Sequence, residues 1–334
     1  MAAIIDTADL PPEPCVTEPL VAPSSAAMAS VDQVSAGLAQ HAYIGSSRIA
    51  TVVYLAFHLR KPVLVEGPPG VGKTELAKTT ARMLGLPLIR LQCYEGIDEA
   101  KALYEWKYGK QLMYIQVLKD QIDDALGGAR GLAESVQRLH QHDDIFFSEA
   151  FLEPRPLLKA LREREGSVLL LDEIDKSDEE FESLLLEMLS DYQVTVPEIG
   201  TIAAAGPPPI VFLTSNNTRE VSDALKRRCL HLYIPFPDAR LEEQIIRTRV
   251  PEIPAALRGQ LVAFVQALRE MDLRKAPAIS ETIDWARTLL LLHVEQLDAE
   301  WVSETLNVLL KFQDDIDRIE LQLPAMIRRA VGAG

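Results

Sequence analysis

From Ser46 to about Pro235 the chain alternates two patterns of apolar and polar residues. Short apolar runs near residues 62–66, 88–93, 167–172, 209–215 and 230–234 are separated by segments with the three- and four-residue apolar spacing of helices. The short runs read as strands, and strands alternating with helices predict an α/β domain whose parallel sheet carries helices on its faces. After Pro237 the strand pattern stops, while helical spacing continues over 240–250, 255–271, 280–297 and 301–317. That predicts a second, all-helical lid unit. Residues 1–40, with "LPPEPCVTEPLVAPSSAA", sustain neither period and read as a flexible leader rich in Pro and Ala. The expected division is therefore 1–40, 41–237 and 238–334, with no internal repeat.

The first strand runs into "VLVEGPPGVGKTELAK", residues Val63 to Lys78. Gly67, Gly70 and Gly72 allow turns that a Cβ would forbid, so that successive backbone N–H groups can face an oxyanion. A helix is predicted from Thr74 to about Leu84, closed by Gly85 and Pro87, and its free N-terminal amides add to the cradle. Gly67 to Thr74 fits G-x-x-x-x-G-K-[ST] at each fixed position. The Lys73 ammonium then reaches β- and γ-phosphates, and the Thr74 hydroxyl is a ligand for Mg²⁺. Gly67, Pro68, Pro69, Gly70, Val71, Gly72, Lys73, Thr74 and Glu75 are the expected nucleotide-binding stretch, with ATP and Mg²⁺ as the ligands.

Composition narrows what such a site serves. The 334 residues are 48% hydrophobic, enough for two cored domains, and carry a formal net charge of −15. A surplus of that sign argues against a broad electrostatic grip on nucleic acid or anionic lipid. Cys15, Cys93 and Cys229 form no C-x-x-C pair and read as ordinary thiols of a reducing compartment. The most apolar helix candidate, Ile49 to Leu59, is far short of the roughly 20 residues that span a bilayer. No basic n-region precedes it, and a cytoplasmic location is expected.

Other strand ends supply the remaining chemistry. "SVLLLDEID", Ser167 to Asp175, is a buried-strand run ending in carboxylates, and ligands of open parallel sheets lie at such carboxyl ends. Asp172 is placed to complete the Mg²⁺ shell. Glu173 can polarise a water for in-line attack on a γ-phosphate, ahead of a helix from Glu179 to Leu189. "PIVFLTSNNT", Pro209 to Thr218, delivers amides at its tip. Asn216 can bond the γ-phosphate or the water, with Asn217 as the competing candidate. Arg227 and Arg228 precede the last strand and lie far along the chain from Lys73, which suggests action in trans on a neighbouring subunit.

"GPPGVGKTELAK", "IRLQCYEGIDEAKALYEWKYGKQL", "LLLDEIDKSDEEFESLLLEML" and "FLTSNNTREVSDALKRRCLHLYIPFP" together resemble the AAA+ ATPases. Within them the chain resembles the MoxR family and its CoxD-like branch, associated with maturation of carbon monoxide dehydrogenase and related molybdenum hydroxylases. The resemblance runs from about Ile44 through the lid. It implies a five-stranded sheet in the order 5-1-4-3-2, an ATP-hydrolysing ring, usually of six, a partner with a von Willebrand factor A domain, and a metalloenzyme client. It assigns Gly67 to Thr74 as Walker A, Asp172 and Glu173 as Walker B, Asn216 as sensor 1, and Arg227 or Arg228 as the arginine finger. Competing readings are an AAA+ motor on nucleic acid, of the restriction or clamp-loader type, and a P-loop kinase; no N-K-x-D guanine signature occurs.

The family's sensor 2 arginine falls on Ser280, where no arginine stands; Arg274, Lys275 and Arg287 nearby read as substitutes or, as the preferred alternative, as solvated lid charges. "DYQVTVPEIGTIAAAGPPP" alternates around Pro197 and Gly200 as a hairpin does, resembling the helix-2 insertion of MoxR proteins. "ALYEWKYGKQLMYIQ" gathers Tyr104, Trp106, Tyr108 and Tyr114. Two readings stand for it: a pore-facing grip on polypeptide, or a small hairpin around Gly109 and Lys110 packed on the domain. "HQHDD", His140 to Asp144, reads as a solvated loop, and no metal beyond Mg²⁺ is expected.

Overall fold

The computed structural model describes residues 25–117 and 148–333. The expectations for residues 1–24 and for His140 to Asp144 lie outside the described residues. Five strands build the main sheet: β1 (Val63–Glu66), β2 (Leu88–Gln92), β3 (Val168–Asp172), β4 (Ile210–Ser215) and β5 (Leu230–Tyr233). All neighbours are parallel, in the order β5-β1-β4-β3-β2. This is the expected 5-1-4-3-2.

Period-two alternation divides the strands between two layers of core. Leu169, Leu171, Val211 and Leu213 enter one layer; Val168, Leu170, Ile210 and Phe212 enter the other. The register sets Gln92 beside Asp172 and places both Ser215 and Tyr233 beside Glu66. Polar residues therefore meet along one carboxyl edge, where the phosphate loop also begins.

The helices packed on the sheet and at its edges include α1 (Val31–Gln40), α2 (Ser47–Leu59), α3 (Lys73–Leu84), α4 (Pro156–Arg162), α5 (Glu179–Asp191) and α6 (Asp223–Arg228). The folded part begins earlier than the sequence pattern suggested: α1 lies inside the presumed leader. Ser30 caps α1 by accepting from the Gln33 N–H, and Met28, Val34 and Leu38 bury fully beside α2 and α3. Gly37 admits the Met83 side chain where a Cβ would collide with it. The Ala- and Ser-rich composition hid these few anchors.

A second core holds the lid, made of α7 (Ala239–Arg249), α8 (Ala255–Arg269), α9 (Ile279–Leu291), α10 (Ala299–Leu309), α11 (Gln313–Glu320) and α12 (Leu323–Ala333). Two expected helices are shorter than predicted. The 280–297 segment ends at Leu291, with His293 in the left-handed region, and the 301–317 segment breaks where Leu310 becomes extended. A buried ion pair, Arg269 to Glu242 at 2.7 Å, ties α8 to α7, and Thr282 and Gln266 also bond that carboxylate. Full satisfaction is what makes such a buried charge tolerable.

Gln193–Val196 and Gly200–Ala203 form the expected antiparallel hairpin. The hairpin around Gly109 and Lys110 does not form. Tyr104–Trp106 pairs instead with Leu152–Pro154, and Gly109 and Lys110 lie in a helix over Tyr108–Val117. Trp106 is buried, while Tyr108 and Tyr114 are exposed, Tyr114 meeting Phe151 edge-on. Among the described residues no helix is long and apolar enough to cross a membrane.

Candidate nucleotide site

A cleft of about 760 Å³ opens at the carboxyl edge of the sheet, between the α/β unit and the lid. Gly67, Gly70 and Gly72 take positive φ, and Gly67 is irreplaceable on a second ground: a Cβ there would stand 2.1 Å from the Ile234 carbonyl oxygen. The loop thus turns tightly over the end of β5. Helix α3 starts at Lys73, one residue before the expected Thr74, and ends at Leu84 with Gly85 in the left-handed region, the stop the sequence predicts. Pro69, Gly70, Val71, Gly72, Lys73, Thr74 and Glu75 all line the cleft. Gly67 and Pro68 act from behind it through their carbonyls.

The Lys73 ammonium donates to the carbonyls of Gly67 at 2.7 Å and Pro68 at 2.8 Å, and to Asn216 Oδ1 at 2.7 Å. Lys73 is buried, and burial lowers its pKa to about 8, against the opposing pull of Asp175, Asp172 and Glu173. A buried ammonium poised in this way gains from an added anion. Thr74 Oγ1 donates to Asp172 Oδ1 at 2.9 Å, and Thr214 Oγ1 donates to the same oxygen at 2.6 Å. Two hard oxygens held together suit a small divalent cation that takes its other ligands from water and phosphate. Thr74 and Asp172 would hold Mg²⁺, and bound there it would neutralise phosphate charge. Among the described residues no cluster of three or more His, Cys, Asp or Glu is placed to hold a metal ion.

Glu173 follows Asp172 in a left-handed conformation, φ 60°, with its N–H donating to Thr214 Oγ1 at 2.9 Å. Its Oε2 accepts from Gln92 at 2.8 Å and from Lys176 at 2.6 Å. Asn216, not Asn217, faces the cleft; Asn217 takes a positive φ and turns back to Ser215. Arg227 and Arg228 end α6 and do not line the cleft, and Arg228 bonds Ser190 Oγ at 2.7 Å. Ser280 does line it, whereas Arg274, Lys275 and Arg287 do not; they pair with Asp314, Glu281 and Asp284.

Several contributors escaped the sequence reading. Arg90 of β2 reaches Asp172 Oδ2 with two donors, at 2.6 and 3.1 Å. Asp175 Oδ2 accepts from the N–H groups of Asn216 and Thr218 and from the Thr218 hydroxyl, fixing the loop that presents Asn216. Its offset of three from Asp172 in "DEID" was the available signal. Tyr43, buried with its hydroxyl pKa raised by burial and by Glu75, backs the loop opposite Gly72. From the lid, Leu241, Ile245, Arg249 and Ile283 close the cleft.

A profile of the AAA domain (dynein-related subfamily) matches residues 62–229, from β1 to the start of β5. The chain belongs to this family of AAA+ ATPases. Similar proteins include an uncharacterized protein of Staphylococcus epidermidis, 26% identical over 240 residues, covering 70% of this chain and 77% of the relative. One from Staphylococcus aureus is 27% identical over 245 residues with the same coverage. Among solved structures the chain is similar to the RuvB Holliday junction branch migration motor of Thermotoga maritima, with a TM-score of 0.44, 18% identity, and coverage of 84% of this chain and 71% of that one. A substituted form of that motor gives a TM-score of 0.47 at 19% identity, covering 91% and 85%. At these values the likeness says nothing of what this AAA+ chain acts on.

Proposed function

We propose that this AAA+ protein hydrolyses ATP with Mg²⁺ and uses the cycle to remodel a client protein. The observation that carries the reading is the meeting of three distant segments in one cleft: Lys73 bonds Asn216, and Thr74 bonds Asp172, at 2.7 and 2.9 Å. The Gly70 to Glu75 amides and Lys73 bind the phosphates. Asn216 orients the terminal phosphate or the attacking water, and Glu173, once released by Gln92 and Lys176, takes the proton of that water. Arg227 or Arg228, lying outside the cleft of their own subunit, complete the site of a neighbour in a ring, of six by resemblance to MoxR proteins.

The CoxD-like segment "CYEGIDEAKALYEW" supports a metalloenzyme as client, of the molybdenum hydroxylase class, and a von Willebrand factor A domain protein as partner. The net charge of −15 disfavours nucleic acid as the substrate. The test is affinity purification of Glu173→Gln, which keeps ATP bound without turnover. Recovery of a protein partner in an ATP-dependent manner supports the reading; recovery of DNA in its place overturns it.

A further inference from the structure

The lid offers the cleft a hydroxyl where its family's sensor 2 cation would stand, and a cation somewhere else. Ser280 abuts the phosphate loop: a Cβ built on Gly70 would lie 2.7 Å from its Oγ and 2.5 Å from the Ala278 methyl. Arg249 lines the same cleft from the last turn of α7. Leu241, Ile245 and Arg249 are spaced by four, so one stripe of α7 faces the cleft, apolar first and cationic at its C-terminal end. A cation is also favoured there by the helix dipole.

The cleft has two recognisable ends. Lys73, Asp172 and Asn216 mark the end that takes the terminal phosphates. Tyr43, Ile44, Ile49, Ile245 and Ile283 supply the apolar wall that a planar nucleobase requires. Arg249 lines the cleft one turn beyond Ile245 on α7. Its Nη1 is 3.8 Å from Glu75 Oε1, an ion pair too long for a hydrogen bond, while Arg82 holds the same oxygen at 3.0 Å. Glu75 therefore has a second partner in Arg82, and its N–H belongs to the first turn of α3, where the motif places the innermost phosphate of a bound nucleotide.

We propose that Arg249 is the lid's nucleotide-binding cation and that it engages the α-phosphate, so the lid grips nucleoside diphosphate and triphosphate alike. This rests on the ATP-binding reading above and adds which phosphate the lid reads. With neutral Ser280 at the opposite end, the lid makes no charged contact of its own with the γ-phosphate.

The test is calorimetric titration of the intact chain with Mg·ADP and with the Mg²⁺ complex of the β,γ-imido analogue of ATP. Arg249→Gln is expected to weaken both by about tenfold, the size of one lost charge-assisted bond, leaving their ratio unchanged. Arg249→Lys, which keeps the charge, is expected to lose less. Ser280→Arg, which adds a cation at the phosphate loop, is expected to raise the ratio of triphosphate-analogue affinity to ADP affinity several-fold. Unchanged melting temperatures establish that each variant is folded; Arg249 is partly exposed and outside both cores. Loss confined to the triphosphate analogue, or loss of neither ligand, overturns the proposal. Wild-type protein that binds neither nucleotide overturns the ATP reading itself, which separates the two failures.

Discussion

Glu173 combines an uncommon backbone state with a restrained side chain. A non-glycine residue at positive φ costs about 1–3 kcal/mol and persists only where its surroundings over-determine it, here through Thr214, Gln92 and Lys176. Replacement by Gln removes the basic oxygen and keeps the shape. The expected result is hydrolysis slowed by about a hundredfold or more with nucleotide affinity retained, measured by phosphate release and by titration. Equal loss of both would remove Glu173 from its assigned role. The cysteines make a different prediction. Burial raises the thiols of Cys93 and Cys229 to about 12, the carboxylates near Cys93 adding to the shift. In a Cys15→Ser background the native protein should resist thiol reagents at pH 8 and react fully in urea. For the linkage, a thiol whose pKa is raised on folding keeps its proton in the native state while the unfolded chain releases it. The contribution to stability is complete below about pH 9 and is lost as pH rises toward 12. Denaturant midpoints should therefore fall between pH 9 and 11, less so in Cys229→Ser; an identical slope in that variant counts against the assignment.

Elements show where sequence patterns spoke and where they were silent. Strands β1, β3 and β4 end where the sequence placed them, because a short apolar run stopped by Gly67, Asp172 or Asn216 has one sensible register. Arg90 passed unnoticed for the converse reason: a charge inside an edge strand reads as its solvated face, and only pairing of β2 with β3 brings it to Asp172. Arg249 looked like any basic residue closing a helix. Helix α1 was hidden by composition, since Met28, Val34 and Leu38 are too few to reveal a period among Ala, Ser and Gln. Leu38→Ala tests its standing as core, with an expected cost of about 2–5 kcal/mol seen in chemical denaturation. A change within error would return this segment to the leader. Gly67→Ala tests the turn: a methyl aimed at the Ile234 carbonyl from 2.1 Å is expected to abolish measurable nucleotide binding while the lid core stays folded by circular dichroism.

At the scale of the whole molecule, two units with separate cores share one cleft. The chain brings Gly70 to Glu75, the bonded pair Thr74 and Asp172, and Glu173 into one cleft from its own segments, while Arg227 and Arg228 do not line that cleft. Arg227→Ala combined with Arg228→Ala is expected to leave nucleotide binding intact and to lower hydrolysis by roughly a thousandfold. Specific activity of the unmodified protein should climb with concentration as rings assemble. Full activity in the double variant, or in dilute monomer, would sink the shared-site picture. The contact between Gly67 and Ile234 has a mechanical corollary. Ile234 opens the short Pro235 to Pro237 connector into α7, so the root of the phosphate loop and the connector to the lid bear directly on each other. Lesions in the connector are therefore expected to register first as altered phosphate affinity, read by nucleotide titration.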